Sequence, residues 1–594
     1  MKTFKISALL LAFAVCACTN NSKQQSQSDD GRLEAFSKYF VDQMLSINSA
    51  YAIEKGNHQY DTLLRIPTTE YYVEANKIWN SLLDSIHSFK EDNLTDANKI
   101  DLWMMRDQAK ASLWYLNEFK SYEWNPASFN VSGSFGGILT GNYDKLDTRL
   151  RNFSIRLKYV PGYYQSAVQN IKQPVIEHTD LAILQNESSI EEVFGNALKD
   201  SVKASTLNNE EKQELLVRND SARSAIQNYV AWLKNLRKTL TPENSRNFRI
   251  GKTLYDKKFE YDIASKYTAE EIFEKAKNRR NELHHEMAEI SRKLWNKYFT
   301  KPMPQDSLLL IREMIDTLSY RHAKPDSFRS SIEQQMPQLV SFINERKLIY
   351  LDPSKPLVVR KTPGYMEGSG AGASISDPGP FDKNGNTYYN VSPLTGYTTE
   401  MAESYMREYN YYILQILNMH EAIPGHYTQL VYSNNSPGII KSLLGNGAMV
   451  EGWAVYSERM MLENGYGGEN GSKESTPEMW LLYYKWHLRS VCNTILDYSV
   501  HVLNMNEQDA KKLLIDGAFQ QQAEADGKWQ RVKLSQVQLC SYYTGFTEIY
   551  DLREEFKKSL GDKFDLKTFH EKFLSYGSAP VKYIAKLMKS ETEK

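Results

Sequence analysis

Apolar residues recur every three or four positions along most of this chain, so the elements it predicts are mainly amphipathic helices. Phe36–Ala50, Val73–Ile86 and Ala97–Phe119 carry that spacing, and Asn208–Leu240 is a charged amphipathic run that ends before Thr241-Pro242. Pro161-Gly162 and Pro174 punctuate this stretch. Thr268-Ala-Glu-Glu271 reads as a capping box that opens a helix toward Tyr298. Between Lys355 and Tyr397 the pattern changes. Pro356–Arg360 and Thr387–Val391 read as strands, with Asn384-Gly385 as a turn. The glycine- and serine-rich Thr362–Pro380 between them fits an ordinary hairpin, or an edge strand open to an extended peptide. A further helix is expected from Thr398-Thr399-Glu400. Met401, Tyr405, Tyr409, Tyr412, Ile416 and Met419 give it one buried face up to His420 and Glu421 at its end. No repeat of fixed period is present, which excludes a solenoid.

Composition narrows the class. The chain has 594 residues, 41% hydrophobic and 24% charged, which is globular and long enough for two packed lobes. A net charge of -1 excludes nucleic-acid binding driven by phosphate neutralisation. The 38 tyrosines and 10 tryptophans suit a groove for peptide or sugar, and equally suit core packing.

The first residues read as a targeting segment. Lys2 and Lys5 precede an apolar run, Ile6–Ala17, that is too short to span a membrane. Val15-Cys16-Ala17-Cys18 resembles a bacterial lipobox, with Cys18 as the lipidated first mature residue. The expectation is a signal peptide over 1–17, a polar tether over 18–32, and an exported protein anchored by lipid to a bacterial membrane, on its periplasmic or cell-surface side. No later apolar run is long enough to cross a bilayer. Two cysteines remain, Cys492 and Cys540; export permits a disulfide, and two buried thiols fit as well.

Candidate chemistry gathers at Met419–Gln429, MHEAIPGHYTQ, followed by Glu451 in EGWAVYSE. A His-Glu pair, a second histidine and a later glutamate are the donor types of a catalytic zinc with a base beside it. The spacing is unusual. His420 and His426 are six apart, which on a straight helix leaves them roughly 120° apart and unable to share an ion. Pro424-Gly425 lies between them and is expected to break the helix, bringing His426 back beside His420. Glu451 is then the third ligand, on a helix opened by Asn446-Gly447 and closed by Asn464-Gly465. Glu421 is the expected general base on a metal-bound water. Glu458, seven residues past Glu451 on the same face, is placed to hold a ligand histidine. A second His-Glu pair, His284-His285-Glu286, lacks a histidine at a ligand offset and is read as a solvated helix face.

These motifs resemble the bacterial DUF885 family, a zincin-like group with a gluzincin-type pattern. The resemblance rests on HEAIPGHYTQ (His420–Gln429), EGWAVYSE (Glu451–Glu458) and LRSVCNTILDYSVH (Leu488–His501). It rests also on QLCSYYTGFTEIYDLREE (Gln538–Glu555), FDLKTFHEKFLSYGS (Phe564–Ser578) and, less tightly, SDPGPFDKNGNTYYNVSPL (Ser376–Leu394). It implies a mainly α, two-lobed zincin-like metallopeptidase fold with a deep channel and a small β-sheet near the active site. It also implies one Zn2+ on His420, His426 and Glu451, with Glu421 catalytic. Asp497 and His501 match a DxxxH pattern. They lie on one helix face, where His501 would serve the oxyanion or substrate, or the two would form a structural pair. Tyr542 is the resemblance's candidate for stabilising the oxyanion. Tyr543-Thr544 stands where the family more often has lysine and an aliphatic.

The expectation is a zinc-dependent peptidase hydrolysing short peptides in a channel. It comprises an N-terminal helical region over 33–248 and a catalytic region over 249–594. The alternatives are a non-catalytic peptide- or glycan-binding lipoprotein, and a zinc amidase or esterase.

Overall fold

The computed structural model describes residues 28–355, 357–362, 373–377, 379–382, 386–394, 397–468, 472 and 474–592. The signal peptide and Cys18 lie outside them, as does most of the glycine-rich stretch. The fold is mainly helical with one small sheet. Among the described residues, no helix is long and apolar enough to cross a membrane.

The predicted helices form as Asp29–Ile47, Thr69–His87, Asp96–Trp114, Asn209–Thr239 and Ala269–Tyr298. The Thr268–Glu271 capping box is present, with both reciprocal bonds made. One correction concerns the tether. Helix begins at Asp29, inside the stretch 18–32 expected to be flexible. The Ser28 hydroxyl caps the Gly31 amide, and Asp29 and Asp30 occupy the first turn, where the helix dipole favours negative charge. Asp30 also accepts from the Thr95 amide and from Asn98, which pins this end to the body.

The division at 248/249 is not where the core divides. The segment from Phe129 to Leu233 packs around Phe135, Phe153, Tyr164, Phe194 and Tyr229 as a separate core. Apart from Ile53 and Leu64, which join this smaller core, the buried apolar residues before it belong to the large core built by the C-terminal half. Trp103 packs on Tyr583 with ring centroids 5.0 Å apart, and buried Lys441 pairs with buried Asp101 at 2.6 Å. Periodicity marks a buried face but not the distant segment that covers it.

Strands β1 (Leu357–Lys361), β2 (Ala373–Ser376) and β3 (Thr387–Val391) form a sheet in the order β1-β3-β2. β1 runs parallel to β3, pairing Val359 with Tyr389, and β2 runs antiparallel, pairing Ile375 with Tyr389. The described end of the glycine-rich stretch is therefore both the antiparallel neighbour of β3 and an edge strand. Tyr389 on the central strand is fully buried, and its hydroxyl donates to Asn418 Oδ1 at 2.7 Å. That bond ties the sheet to the helix carrying His420.

The single helix expected from Thr398 to Glu421 is two, Thr399–Glu408 and Tyr411–Glu421. Asn410 is extended, and its side chain accepts from the Tyr412 and Ile413 amides at 3.1 and 3.2 Å. This cap restarts the helix. The apolar spacing survives the break because the step from Tyr409 to Tyr412 is still three residues.

Candidate metal centre

The helix Tyr411–Glu421 buries every residue from Tyr412 to His420, and its last turn delivers His420 and Glu421. It stops there, and a new helix, His426–Asn435, begins at the second histidine. The Ile423–Pro424 bond is cis, and the Trp453 indole donates to the Pro424 carbonyl at 2.8 Å, fixing the turn. Gly425 is required by contact: a Cβ there would overlap the carbonyl oxygens of His420 and Met419. The expected break is thus present. The two imidazoles face each other edge-on, centroids 4.7 Å apart.

Glu451 arrives on the helix Gly447–Glu463, whose cap is Asn446 accepting from the Met449 amide at 2.8 Å. That helix crosses Ser541–Leu560 at Gly452 and Gly545, where a Cβ on either glycine would overlap the other backbone. The close crossing brings Tyr542 and Glu451 into one neighbourhood.

Glu451 Oε2 stands 3.4 Å from His426 Nε2 and 3.6 Å from His420 Nε2, and has no hydrogen-bond partner although buried. Two atoms bound to one zinc at about 2.0–2.1 Å with tetrahedral angles are themselves roughly 3.3–3.4 Å apart. A Glu421 oxygen also lies within 4.8 Å of donor nitrogens of both histidines. Of the two carboxylates, Glu451 is the better third donor, because its oxygen faces both Nε2 atoms directly. Burial works against its charge, but the two imidazoles outweigh burial and hold its carboxyl far below the ordinary range. Glu421 goes the other way. Burial raises its carboxyl, the imidazoles of His426 and His420 pull it down, and the nearby Glu451 charge raises it further, leaving it above the ordinary value.

Glu458 does what its spacing implied. Its Oε1 lies 2.7 Å from His420 Nδ1 and also accepts from the Trp486 indole at 3.1 Å. A proton held at Nδ1 leaves the Nε2 lone pair facing Glu451. Burial would lower the His420 imidazole, but Glu451 and Glu458 raise it to about 10, so a cation binding at Nε2 would displace a proton from that nitrogen. Two imidazoles and the Glu451 carboxylate converge, and that donor set fits a divalent zinc ion.

Tyr542 is part-buried at the start of its helix. Burial raises its phenol, and the Glu451 charge raises it further. Arg531 donates to its hydroxyl at 3.4 Å.

Asp497 and His501 do not reach the site. Asp497 Oδ1 accepts from the Tyr255 hydroxyl and the Val537 amide, both at 2.8 Å, and Oδ2 accepts from the Leu539 amide at 3.3 Å. His501 Nε2 lies 2.9 Å from the Val532 carbonyl and 3.1 Å from that of Ser535. His501 is buried, its ring proton is consumed by main-chain carbonyls, and it has no hydrogen left for an oxyanion. The pair instead moulds the 532–540 segment that leads into Tyr542. The earlier His-Glu pair also proves structural: His284 Nε2 lies 2.7 Å from the Gly517 carbonyl, and Glu286 pairs with Arg279. Cys492 and Cys540 are both buried and unpaired.

Sequence reasoning missed Trp486 and the charges near it. Lys485 and Arg489 sit one turn apart on a largely buried helix, Pro477–His501. Charges in such a helix are the signal that would have found them.

The sequence matches the family described as "Bacterial protein of unknown function (DUF885)" over residues 50–588. No curated protein matches the chain. Among solved structures, a candidate lipoprotein of unknown function from Shewanella oneidensis is 50% identical, with 94% of this chain and 99% of that one covered and a TM-score of 0.86. A candidate lipoprotein from Colwellia psychrerythraea shares the fold at 16% identity, with 96% and 100% covered and a TM-score of 0.76.

Proposed function

This chain belongs to the DUF885 family, and within it we propose a zinc-dependent peptidase that hydrolyses short peptides at the His420–His426–Glu451 site. The observation that carries the reading is Glu451 Oε2, buried without a hydrogen bond and 3.4 and 3.6 Å from two histidine Nε2 atoms. A divalent metal held there would supply a Lewis acid toward a water and the scissile carbonyl. Glu421, adjacent in sequence to His420, takes the proton from the attacking water as a carboxylate. It then hands that proton to the leaving amine. Glu458 keeps His420 in the tautomer whose Nε2 faces Glu451. Tyr542 donates its phenol hydrogen toward the oxygen that gains negative charge. Asp497 sets the main chain just before Tyr542 and acts only through it.

The Shewanella oneidensis relative supports an exported, lipid-anchored reading of this chain, with Cys18 as the acylated residue. Elemental analysis of the purified protein, with a peptide-library digest run with and without chelator, tests the proposal. One zinc per chain, cleavage abolished by chelation and restored by zinc, and a Glu421→Gln protein that keeps its metal but cleaves nothing are the expected results. Cleavage by Glu421→Gln at the unaltered rate would overturn it.

A further inference from the structure

Lys528, on the helix Gln522–Leu534, is only 6% exposed and makes no ion pair or hydrogen bond among the described residues. Arg489 lies nearby on the Trp486 helix. Its guanidinium sits 4.9 Å above the Trp486 ring, and its Nε pairs with Glu524 at 2.8 Å. The same Trp486 donates to Glu458, which holds His420, so Arg489 is joined to the metal centre through a short chain of contacts. Glu524 stands one turn before Lys528. Lys485, on the same helix as Arg489, is satisfied by both oxygens of Glu408 at 2.9 and 2.8 Å. Burial and the Arg489 charge push the Lys528 amine well below its ordinary value, against the pull of Glu524 and Glu451.

A buried amine short of an anion gives up its charge, and a carboxylate that arrives with a ligand restores the ammonium, which takes its proton from water. We propose that Lys528 and Arg489, with Tyr542 at the rim, form a subsite for a carboxylate of the substrate, so that the centre takes peptides by a carboxylate-bearing end. This rests on the metal-site reading above. A guanidinium and an ammonium together give the charge-assisted hydrogen bonds that a carboxylate accepts best. The carboxylate comes either from the peptide's own C-terminus or from an acidic side chain.

Calorimetry on zinc-loaded Glu421→Gln separates these. The probes are an acetylated alanine tetrapeptide with a free C-terminus, its C-terminal amide, and the amide carrying aspartate at its last position. The free acid, or the aspartyl amide, should bind about 10- to 100-fold tighter than the plain amide. Lys528→Met should erase that difference while the plain amide binds as before. A preference for the free acid assigns the C-terminal carboxylate, and one for the aspartyl amide assigns the side chain. Equal affinity for all three probes, or binding of none, in the protein that keeps Lys528 would overturn the subsite. Hydrolysis by the unaltered chain is scored separately. A carboxylate preference without hydrolysis removes the peptidase reading alone, and hydrolysis with no preference removes the subsite alone.

Discussion

Gly425 stands so close to His420 that a side chain on the glycine would occupy the space of the histidine's own carbonyl oxygen. This contact lets two histidines six residues apart face one another. Gly425→Ala must push the turn outward and swing His426 away. Zinc affinity is expected to fall by at least about tenfold, with a stability loss of about 1–3 kcal/mol. Competition with a chromogenic chelator and a urea melt read the two effects. Unchanged zinc affinity would show that the turn does not set the spacing.

Glu458 and His420 form the second relationship on which the centre depends. Glu458→Gln keeps an acceptor for Nδ1 but removes the charge that orients and enriches the imidazole. Zinc affinity is expected to drop about 10- to 100-fold with the fold intact. Chelator competition measures the drop, and circular dichroism checks the fold.

His501 separates resemblance from geometry. Because Nε2 serves the carbonyls of Val532 and Ser535, His501→Ala is expected to cost about 1–3 kcal/mol of stability. Under the proposed peptidase reading, its turnover, assayed well below its melting temperature, should stay within a few-fold of that of the unaltered protein. A fully stable but inactive variant would return His501 to the chemistry.

Lys441 and Asp101 hold the N-terminal helices to the C-terminal half. Burial raises the Asp101 carboxyl above its ordinary value, against the pull of Lys441. The folded chain therefore keeps this proton at pH values where the unfolded chain has lost it. The group's favourable contribution is present below the ordinary carboxylate range and is lost as pH rises through the folded value. Lys441→Met removes the counter-pull and strands the carboxylate, a loss of about 3–5 kcal/mol near neutral pH. The deficit should shrink as pH is lowered toward the carboxylate range. Urea unfolding across pH reads it, and a deficit independent of pH would assign the loss to packing instead.

The sequence by itself determined the helical class, the strands β1 and β3, the break at Pro424-Gly425 and the grouping of His420, Glu421, His426, Glu451 and Glu458. These are local properties. Apolar period, capping residues and a short motif with a helix breaker act over a few residues, so they can be read without knowing what packs where. The tether was misjudged at its end because Ser28, Asp29 and Asp30 form a cap that polarity alone conceals. The helix break at Asn410 was hidden because the apolar spacing runs through it. Only the tertiary structure decided which charges meet. It turned Asp497 and His501 from chemistry to main-chain support, and it brought Trp486 onto Glu458 and Arg489 onto Trp486. It also joined the first helices to the last one through Trp103 and Tyr583. Those outcomes depend on segments tens to hundreds of residues apart being buried together. A long-range ion pair or hydrogen bond is fixed by packing and leaves no periodic trace in the chain.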